Sequence, residues 1–169
     1  MEIVIETERL ILRKFTVEDA SFMLELLNTP TWLRFIGDRN VHSVEEAEQY
    51  LVNGNIKNYL EYGFGFYLVA VKETGESIGM CGLVKRDSLE DVDIGFAFLP
   101  QFIGKGYGFE AASSTLRYAQ NILQIHKIVA IVNPDNTDSV KLIKKIGLQF
   151  EKMVQLSFTD IALMLFSTK

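Results

Sequence analysis

The feature that most constrains the fold is the stretch of residues 91–121, in which a strand pattern passes through a proline and several glycines into a helix pattern. Bulky and small side chains alternate along residues 92–98 with the period of two that is typical of a β-strand. Pro100 cannot donate a hydrogen bond to a neighbouring strand, so it ends this one. Apolar residues then recur at the spacing of a helix with one buried side: Phe109, Ala112, Leu116, Ala119 and Leu123. The stretch therefore predicts a strand–loop–helix unit.

Three glycines, Gly104, Gly106 and Gly108, lie at the start of that helix. Inside a helix each would cost about 1 kcal/mol relative to alanine, so another property has to favour them. Absent side chains let a ligand approach the backbone, and the first turn of a helix offers unpaired N–H groups and partial positive charge that suit phosphate. We interpret the segment as a pyrophosphate-binding loop; the alternative is a flexible turn between a strand and a helix.

The spacing of these glycines excludes two common phosphate-binding motifs. Neither the dinucleotide-binding pattern G-x-G-x-x-G nor the P-loop pattern G-x-x-x-x-G-K-[ST] is present. The sequence instead has Gln101-x-x-Gly104-x-Gly106, which resembles the Q/R-x-x-G-x-G/A signature of the GNAT superfamily of acyl-CoA-dependent N-acyltransferases. In that family this loop holds the pyrophosphate of coenzyme A.

The hydrophobic patterns along the whole chain predict a mixed α/β fold with the element order β-α-α-β-β-β-α-β-α-β-β, in a single domain of residues 1–169. Capping boxes at Thr16-x-x-Asp19 and Ser43-x-x-Glu46 start the first two helices, with a loop expected at residues 28–40 between them. We predict strands at residues 8–14, 64–72, 77–85, 92–98, 127–132, 148–155 and 158–166.

This order is that of the GNAT fold, and two local segments resemble the ribosomal-protein N-terminal acetyltransferase branch. They are the opening segment ETERLILRKF at residues 6–15 and the segment NPDNTDSVKLIKKIGLQFE at residues 133–151, although Gly147 is followed by Leu148 and not by phenylalanine. The resemblance implies acetyl-CoA as co-substrate and, as acceptor, the primary amine of a peptide or protein N-terminus or of a small molecule. The alternative is an acyl-CoA binding or sensing module without productive chemistry.

Composition limits the other classes of function. With 48% hydrophobic and 23% charged residues and a net charge of −5, the chain is typical of one globular domain and does not suggest a nucleic-acid or membrane-surface partner. No signal peptide or long apolar run is visible, so we expect a soluble, cytoplasmic protein, whose oligomeric state the sequence does not determine. Cys81 is expected to be a buried strand residue, and His42 and His126 lack the spacing of metal ligands, so no metal is expected.

The resemblance also implies the residues that contact coenzyme A. The backbone of Phe98 and Leu99 would pair with the pantetheine arm, with an N–H near Phe98 polarising the thioester carbonyl. The side chain of Asn136 would reach the same arm in addition to capping a helix. A solvated side chain is the alternative for Lys105. The loop residues assigned to the pyrophosphate are Gln101, Gly104, Lys105, Gly106, Tyr107 and Gly108.

Three residues are candidates for proton transfer. Asp93 shares a strand face with Gly95 and Ala97 and is a candidate base; the alternative is a solvated residue at a strand end. Glu151 occupies a position where some members of the ribosomal branch place an acid, the alternative being a paired surface charge. Many GNAT enzymes have a tyrosine where this chain has Leu142-Ile143, so Ser139 is the candidate donor to the leaving thiolate, or else it only caps its helix.

The acceptor site is expected between the first two helices, where the ribosomal branch shapes its own. The candidate residues there are Trp32, Phe35, Asp38 and Arg39. Trp32 and Phe35 could alternatively pack under the helices. An acidic cleft containing Asp38 or Asp93 would favour a cationic amine.

Overall fold

The structure is a computed structural model that describes residues 1–168. One sheet of eight strands, in the order β1-β2-β3-β4-β5-β6-β8-β7, runs through the described part of the chain. Neighbouring strands are antiparallel except β5 and β6, which are parallel. The strands are β1 (Ile3–Glu6), β2 (Leu10–Arg13), β3 (Phe66–Val71), β4 (Ser77–Val84), β5 (Val92–Phe98), β6 (Ile128–Val132), β7 (Gln149–Val154) and β8 (Leu163–Ser167).

The helices cover both faces of the sheet. They are α1 (Ala20–Leu27), α2 (Pro30–Phe35), α3 (Val44–Leu51), α4 (Lys57–Tyr62), α5 (Tyr107–Asn121) and α6 (Thr137–Lys145). A π-helical turn, Val52–Ile56, joins α3 to α4. The predicted caps are confirmed at Thr16 and Ser43, whose hydroxyls accept hydrogen bonds from backbone N–H groups. No helix within residues 1–168 is both long enough and apolar enough to cross a bilayer.

The mixed α/β prediction is confirmed, with two elements that the sequence did not indicate. Strand β1 is short and exposed at both ends, and it pairs with β2 through a tight turn in which Thr7 N–H donates to Leu10 O at 2.9 Å. The expected loop at residues 28–40 contains α2, because Thr29 caps it and Pro30 fits the first helical position, where no N–H is needed. Its six residues are too few to produce a helical period.

Alternating side chains in the strands create two separate cores, one on each face of the sheet. Tyr67 and Val69 pack with α5 and α6 on one face, and Leu68 and Ala70 pack with α1 and α3 on the other. In β5, Ile94 belongs to the first core and Ala97 contacts the second, so the predicted alternation is confirmed.

The parallel pair at the centre of the sheet is incomplete. β5 and β6 are paired only at Val92↔Ile128 and Asp93↔Val129, after which they separate. β4 continues along the other edge of β5 to Phe98, and β8 continues along β6 to Val132. A gap therefore opens in the middle of the sheet, between the later residues of β5 and those of β6.

Candidate active site

A cavity of about 1080 Å³ lies where β5 and β6 separate. This volume slightly exceeds the upper limit of about 1,000 Å³ that is typical of small-molecule sites. One wall is formed by Asp93–Phe96 of β5 and by the segment from β6 into α6, and the opposite wall by the segment from α2 to α4. Residues 158–161, between β7 and β8, also line it. The glycine loop, defined as residues 101–108, follows the end of β5 and lies outside this lining.

The glycine loop has the backbone that its sequence suggested. Gly104 and Gly106 both have a φ of +83°, a conformation that costs other residues about 1–2 kcal/mol, and Gly106 is the N-cap of α5. Glu110 N–H makes the first helical bond, to Gly106 O at 3.1 Å, so the three preceding N–H groups are free of backbone acceptors. An anionic group can therefore approach an exposed row of N–H donors at the start of α5.

Gly108 has a different role from the other two glycines. A Cβ at this position would lie 3.0 Å from Leu142 Cδ2, whereas one at Gly104 would meet nothing within 4 Å. The missing side chain of Gly108 thus lets α5 pack closely against α6. Close packing against α6 therefore explains Gly108 without any ligand. Access of a phosphate to the backbone, which we expected from the sequence for all three glycines, is not needed to explain this one.

The N-terminal hairpin supports the glycine loop. Arg9 Nη1 donates to Lys105 O at 3.1 Å, Arg9 Nε donates to Glu110 Oε2 at 2.7 Å, and the guanidinium lies 4.5 Å from the centre of the Tyr107 ring. Although partial burial raises the pKa of Glu110, hydrogen bonds from Thr7 and Arg9 bring it below its ordinary value. Lys105 is thus engaged through its carbonyl oxygen, and its side chain is exposed like that of Gln101.

The predicted contact between the Leu99 backbone and pantetheine is wrong. Leu99 N–H donates to Ile78 O at 2.9 Å, and Leu99 O accepts from Phe102 N–H at 3.0 Å, so both groups already have partners in a buried position. Bonded groups alternate along an antiparallel pair, so the N–H groups of Phe96 and Phe98 point away from β4. These N–H groups point into the gap between β5 and β6.

Asp93 is a buried, ion-paired carboxylate and not a solvated strand end. It is only 2% exposed, it lines the cavity, and its Oδ2 accepts from Arg86 Nε at 2.7 Å. Burial raises the pKa of Asp93, and the positive charges of Arg86 and Lys85 oppose part of that rise. Arg86, which also lines the cavity, was missed because it lies in the turn before β5, where an arginine is normally solvated.

Asn136 and Ser139 enter the same cavity from the start of α6. Asn136 Oδ1 accepts from Ser139 N–H at 3.3 Å, so the predicted N-cap is confirmed. Ser139 is partly buried, and its hydroxyl makes no hydrogen bond within residues 1–168. The hydroxyl is therefore available to a ligand in the cavity that Asp93 also lines.

Glu151 is not brought to this cavity. It is exposed on β7 and lines a separate hollow of about 380 Å³ together with Asp91 and Lys127. The reason is the strand order: β8 lies between β6 and β7, so β7 is the edge strand, far from the gap beside β5. The expectation that Glu151 shares a site with Asp93 and Ser139 is wrong.

The predicted acceptor residues fall into two groups. Trp32, Phe35 and Arg39 line the cavity, whereas Asp38 does not: its carboxylate accepts from Asn40 N–H at 2.8 Å in a local turn. Trp32 is 4% exposed and packs in the core beneath α1, which was the alternative to a role in acceptor binding. It also lines the cavity. Within residues 1–168, its indole N–H is the buried side-chain polar atom without a hydrogen-bond partner.

The π-helical turn is a part of the wall that the sequence analysis missed. A π-turn widens a helix and is frequent at functional sites. It places Asn53 and Gly54 along the cavity and buries Asn55, whose amide donates to Phe66 O at 3.4 Å. The sequence signal was the Asn-Gly-Asn run inside an otherwise helical pattern.

The charge of the cavity is mixed, so the condition under which an acidic cleft would favour a cationic amine is not met by Asp38 or Asp93. Asp93 is neutralised by Arg86, and Asp38 lies outside. The charged residues of the lining are Arg34, Arg39, Arg86, Glu45, Glu46, Asp93 and Asp160. Within the described residues, no group of three or more histidine, cysteine, aspartate or glutamate side chains is arranged to hold a metal ion.

Residues 9–149, which contain the glycine loop and both walls of the cavity, match the profile of the family described as Acetyltransferase (GNAT) domain. The chain belongs to the GNAT family. The resemblance seen in the sequence is thereby confirmed, and the chain is an acetyl-CoA-dependent N-acetyltransferase.

Curated relatives of this GNAT chain include several bacterial proteins. The uncharacterized N-acetyltransferase p20 of Bacillus licheniformis is 31% identical over 88% of this chain and 84% of its own. The uncharacterized protein YkkB of Bacillus subtilis is 34% identical over 62% of each chain. The [ribosomal protein uS5]-alanine N-acetyltransferase of Escherichia coli is 32% identical over 59% of this chain and 52% of that enzyme.

Solved structures show the same fold. An acetyltransferase from Agrobacterium tumefaciens superimposes with a TM-score of 0.83 at 22% identity, covering 98% of this chain and 93% of the other. The GNAT glycine loop and the gap between β5 and β6 fit an acyl-CoA co-substrate, because free N–H donors and an unpaired strand edge follow one another along the chain.

Proposed function

We propose that this GNAT protein transfers the acetyl group of acetyl-CoA directly to a primary amine in the cavity between β5 and β6. The observation that carries the proposal is the separation of these strands, which opens one space lined by both Asp93 and Ser139. Holding two reactants in line can contribute about 7–11 kcal/mol, so the main task of such a cavity is alignment.

The glycine loop would bind the pyrophosphate of the co-substrate through the N–H groups at the start of α5. The free edge of β5 would pair with the pantetheine arm, and the N–H of Phe98 would donate to the thioester carbonyl as negative charge develops there. Asn136 borders the same path. The other loop residues, Gln101 and Lys105, would contribute their backbone, because their side chains are exposed to solvent.

In the reaction step, the amine nitrogen would form a bond to the acetyl carbon as the carbon–sulfur bond breaks. Asp93 would accept the proton that the amine loses, since burial raises its pKa and makes it a better acceptor than an ordinary carboxylate. The Ser139 hydroxyl would donate a proton to the leaving thiolate and regain one from water, to which Asp93 releases the proton that it took from the amine.

For the acceptor, we propose the amine of a peptide or protein N-terminus. The supporting observation is the 32% identity to the uS5-alanine N-acetyltransferase of Escherichia coli. Trp32, Phe35 and Arg39 would contact this acceptor. A second candidate function, an acyl-CoA binding or sensing module, is favoured by Leu142 and Ile143, which stand where many GNAT enzymes have a tyrosine.

The test is release of free coenzyme A, followed with a thiol reagent, from acetyl-CoA and a panel of peptides and small amines. We expect turnover with wild type and a loss of at least about 100-fold in Asp93→Asn, as for removal of a general base. Saturable binding of acetyl-CoA without release with any amine would favour the sensing module. Failure to bind acetyl-CoA would overturn both functions.

A further inference from the structure

The paired side chains of Asp93 and Arg86 offer more than a base to the cavity. Asp93 uses only Oδ2 for the 2.7 Å bond to Arg86 Nε, and its Oδ1 has no hydrogen bond within the described residues although the residue is 2% exposed. Both residues line the cavity. Among the residues that the structure describes, Trp32 Nε1, and not this oxygen, is the fully buried side-chain atom without a partner, so Asp93 Oδ1 stays open to the cavity and can accept a hydrogen bond from a ligand there.

The guanidinium of Arg86, whose side chain is 30% exposed, also has N–H groups that a ligand can reach. It has five N–H donors, of which the one on Nε is used; the groups on Nη1 and Nη2 have no acceptor within residues 1–168. Its orientation is fixed from two directions, by the bond to Asp93 and by the Phe158 ring, whose centre lies 5.4 Å from Arg86 Cζ. The pair thus presents a fixed acceptor atom beside a fixed set of donors.

We propose that Arg86 and Asp93 select acceptors in which the reacting amine is attached to the carbon that bears a carbonyl group, that is, α-aminoacyl compounds such as peptide N-termini. The inference rests on the proposed function and adds Arg86 as its specificity-determining residue. The amine donates to Asp93 Oδ1, and the neighbouring carbonyl oxygen accepts from the terminal N–H groups of Arg86. The short N–Cα–C=O linkage matches an acceptor and a donor that are themselves adjacent.

The same pair acts against other primary amines. An alkylamine or the side-chain amine of lysine has no carbonyl beside the reacting nitrogen, so binding would leave the Arg86 donors unpaired after water is displaced. A polyamine would add a second cation near the guanidinium, and like charges brought together lower affinity. The mixed charge of the other lining residues, such as Arg39 and Glu46, provides no general preference for cations, so the discrimination falls to this pair.

The experiment compares two acceptors, alanine amide and isopropylamine, which differ by the carbonyl group, with spermidine as a third. For wild type, Arg86→Lys, Arg86→Gln and the control Arg117→Gln, kcat/KM is measured for each acceptor at saturating acetyl-CoA. Arg117 lies exposed on α5, outside the cavity lining. For each variant, kcat/KM for alanine amide is divided by kcat/KM for isopropylamine, and this ratio is divided by the wild-type ratio. The different basicity of the two amines then cancels.

We expect the preference for alanine amide over isopropylamine to fall at least about 10-fold in both Arg86 variants, through KM for the amide, and to stay unchanged in Arg117→Gln. Arg86→Lys keeps a positive charge beside Asp93, so its kcat should exceed that of Arg86→Gln for both amines while discrimination remains lost. If kcat/KM fell equally for both acceptors, Arg86 would only hold Asp93 in place and would not determine specificity. That result would overturn the proposal. A wild-type enzyme that prefers spermidine would also overturn it.

Failure of the proposed function gives a different result. If wild type releases no coenzyme A with any amine, calorimetric titration of alanine amide into the protein saturated with coenzyme A replaces the kinetic assay. Binding that is lost in Arg86→Gln but kept in Arg117→Gln would support the recognition while refuting the chemistry. Absence of binding to wild type would overturn both.

Discussion

Replacing Gly104 with alanine separates the ligand-binding role of the glycine loop from its backbone strain. Gly104 has φ +83° and Gly75, in the turn between β3 and β4, has φ +76°; a Cβ at either would meet no atom within 4 Å. Gly75→Ala is therefore a matched control that has the same strain and no ligand. Gly106 is less suitable, because a Cβ there would lie 3.2 Å from Arg9 Nη2 and disturb the support of the loop.

The stability cost should be the same for both variants. A left-handed backbone costs alanine about 1–2 kcal/mol relative to glycine. For a protein of this length each kcal/mol lowers Tm by about 2–4 °C, so both variants should melt about 2–8 °C below wild type.

Only Gly104→Ala should change co-substrate binding. A methyl group on the exposed face of the loop would displace the phosphate from at least one N–H donor, and a hydrogen bond to a charged group contributes about 1.5–3 kcal/mol. That free energy corresponds to a rise of about 10- to 150-fold in the Kd for acetyl-CoA.

The assay is calorimetric titration with acetyl-CoA, with thermal unfolding followed by circular dichroism on the same samples. An unchanged Kd in Gly104→Ala would refute the pyrophosphate assignment and leave the loop as a turn. An equal loss of affinity in Gly75→Ala would show that strain anywhere in the fold weakens binding, and the reasoning from the loop would fail.

Two further predictions concern the cavity. Ser139→Ala should lower kcat by about 100-fold or more while the Kd for acetyl-CoA stays the same, because the hydroxyl acts only on the leaving thiolate; steady-state kinetics beside calorimetry decides, and an unchanged kcat would place the acid elsewhere. Asp93→Asn should lose turnover yet melt no lower than wild type at pH 7. The raised pKa means that Asp93 favours folding while protonated, below its ordinary value of 3.8, and that this contribution is lost as the pH rises through the raised value. The Tm of Asp93→Asn minus that of wild type should therefore increase from pH 3 to pH 7. A decrease of this difference with rising pH would contradict the assigned direction of the pKa shift.

Local signals in the sequence were enough for the strand–loop–helix unit and for the cap at Asn136. Each depends on residues within one turn or one strand, so period and residue type suffice. The same holds for Gly104 and Gly106, whose positive φ explains the choice of glycine.

The misplaced residues depend on contacts between distant segments. Glu151 was placed in the site because nothing in its own segment shows that β8 inserts between β6 and β7. The Leu99 backbone was predicted to bind pantetheine because the sequence does not show that Leu99 N–H donates to Ile78 O. Arg86 was overlooked since its partner, Asp93, becomes buried only when β4 and β5 pair.

The two-residue seam between β5 and β6 has a mechanical consequence. On one side of it lies a five-stranded part of the sheet, β1 to β5, and on the other a three-stranded part formed by β6, β8 and β7. Within residues 1–168, β5 and β6 are not paired beyond Asp93 and Val129. A molecule that inserts between them and bonds to the free edge of β5 therefore takes the place of a missing strand. The co-substrate would then be a structural member of the working enzyme as well as its reagent.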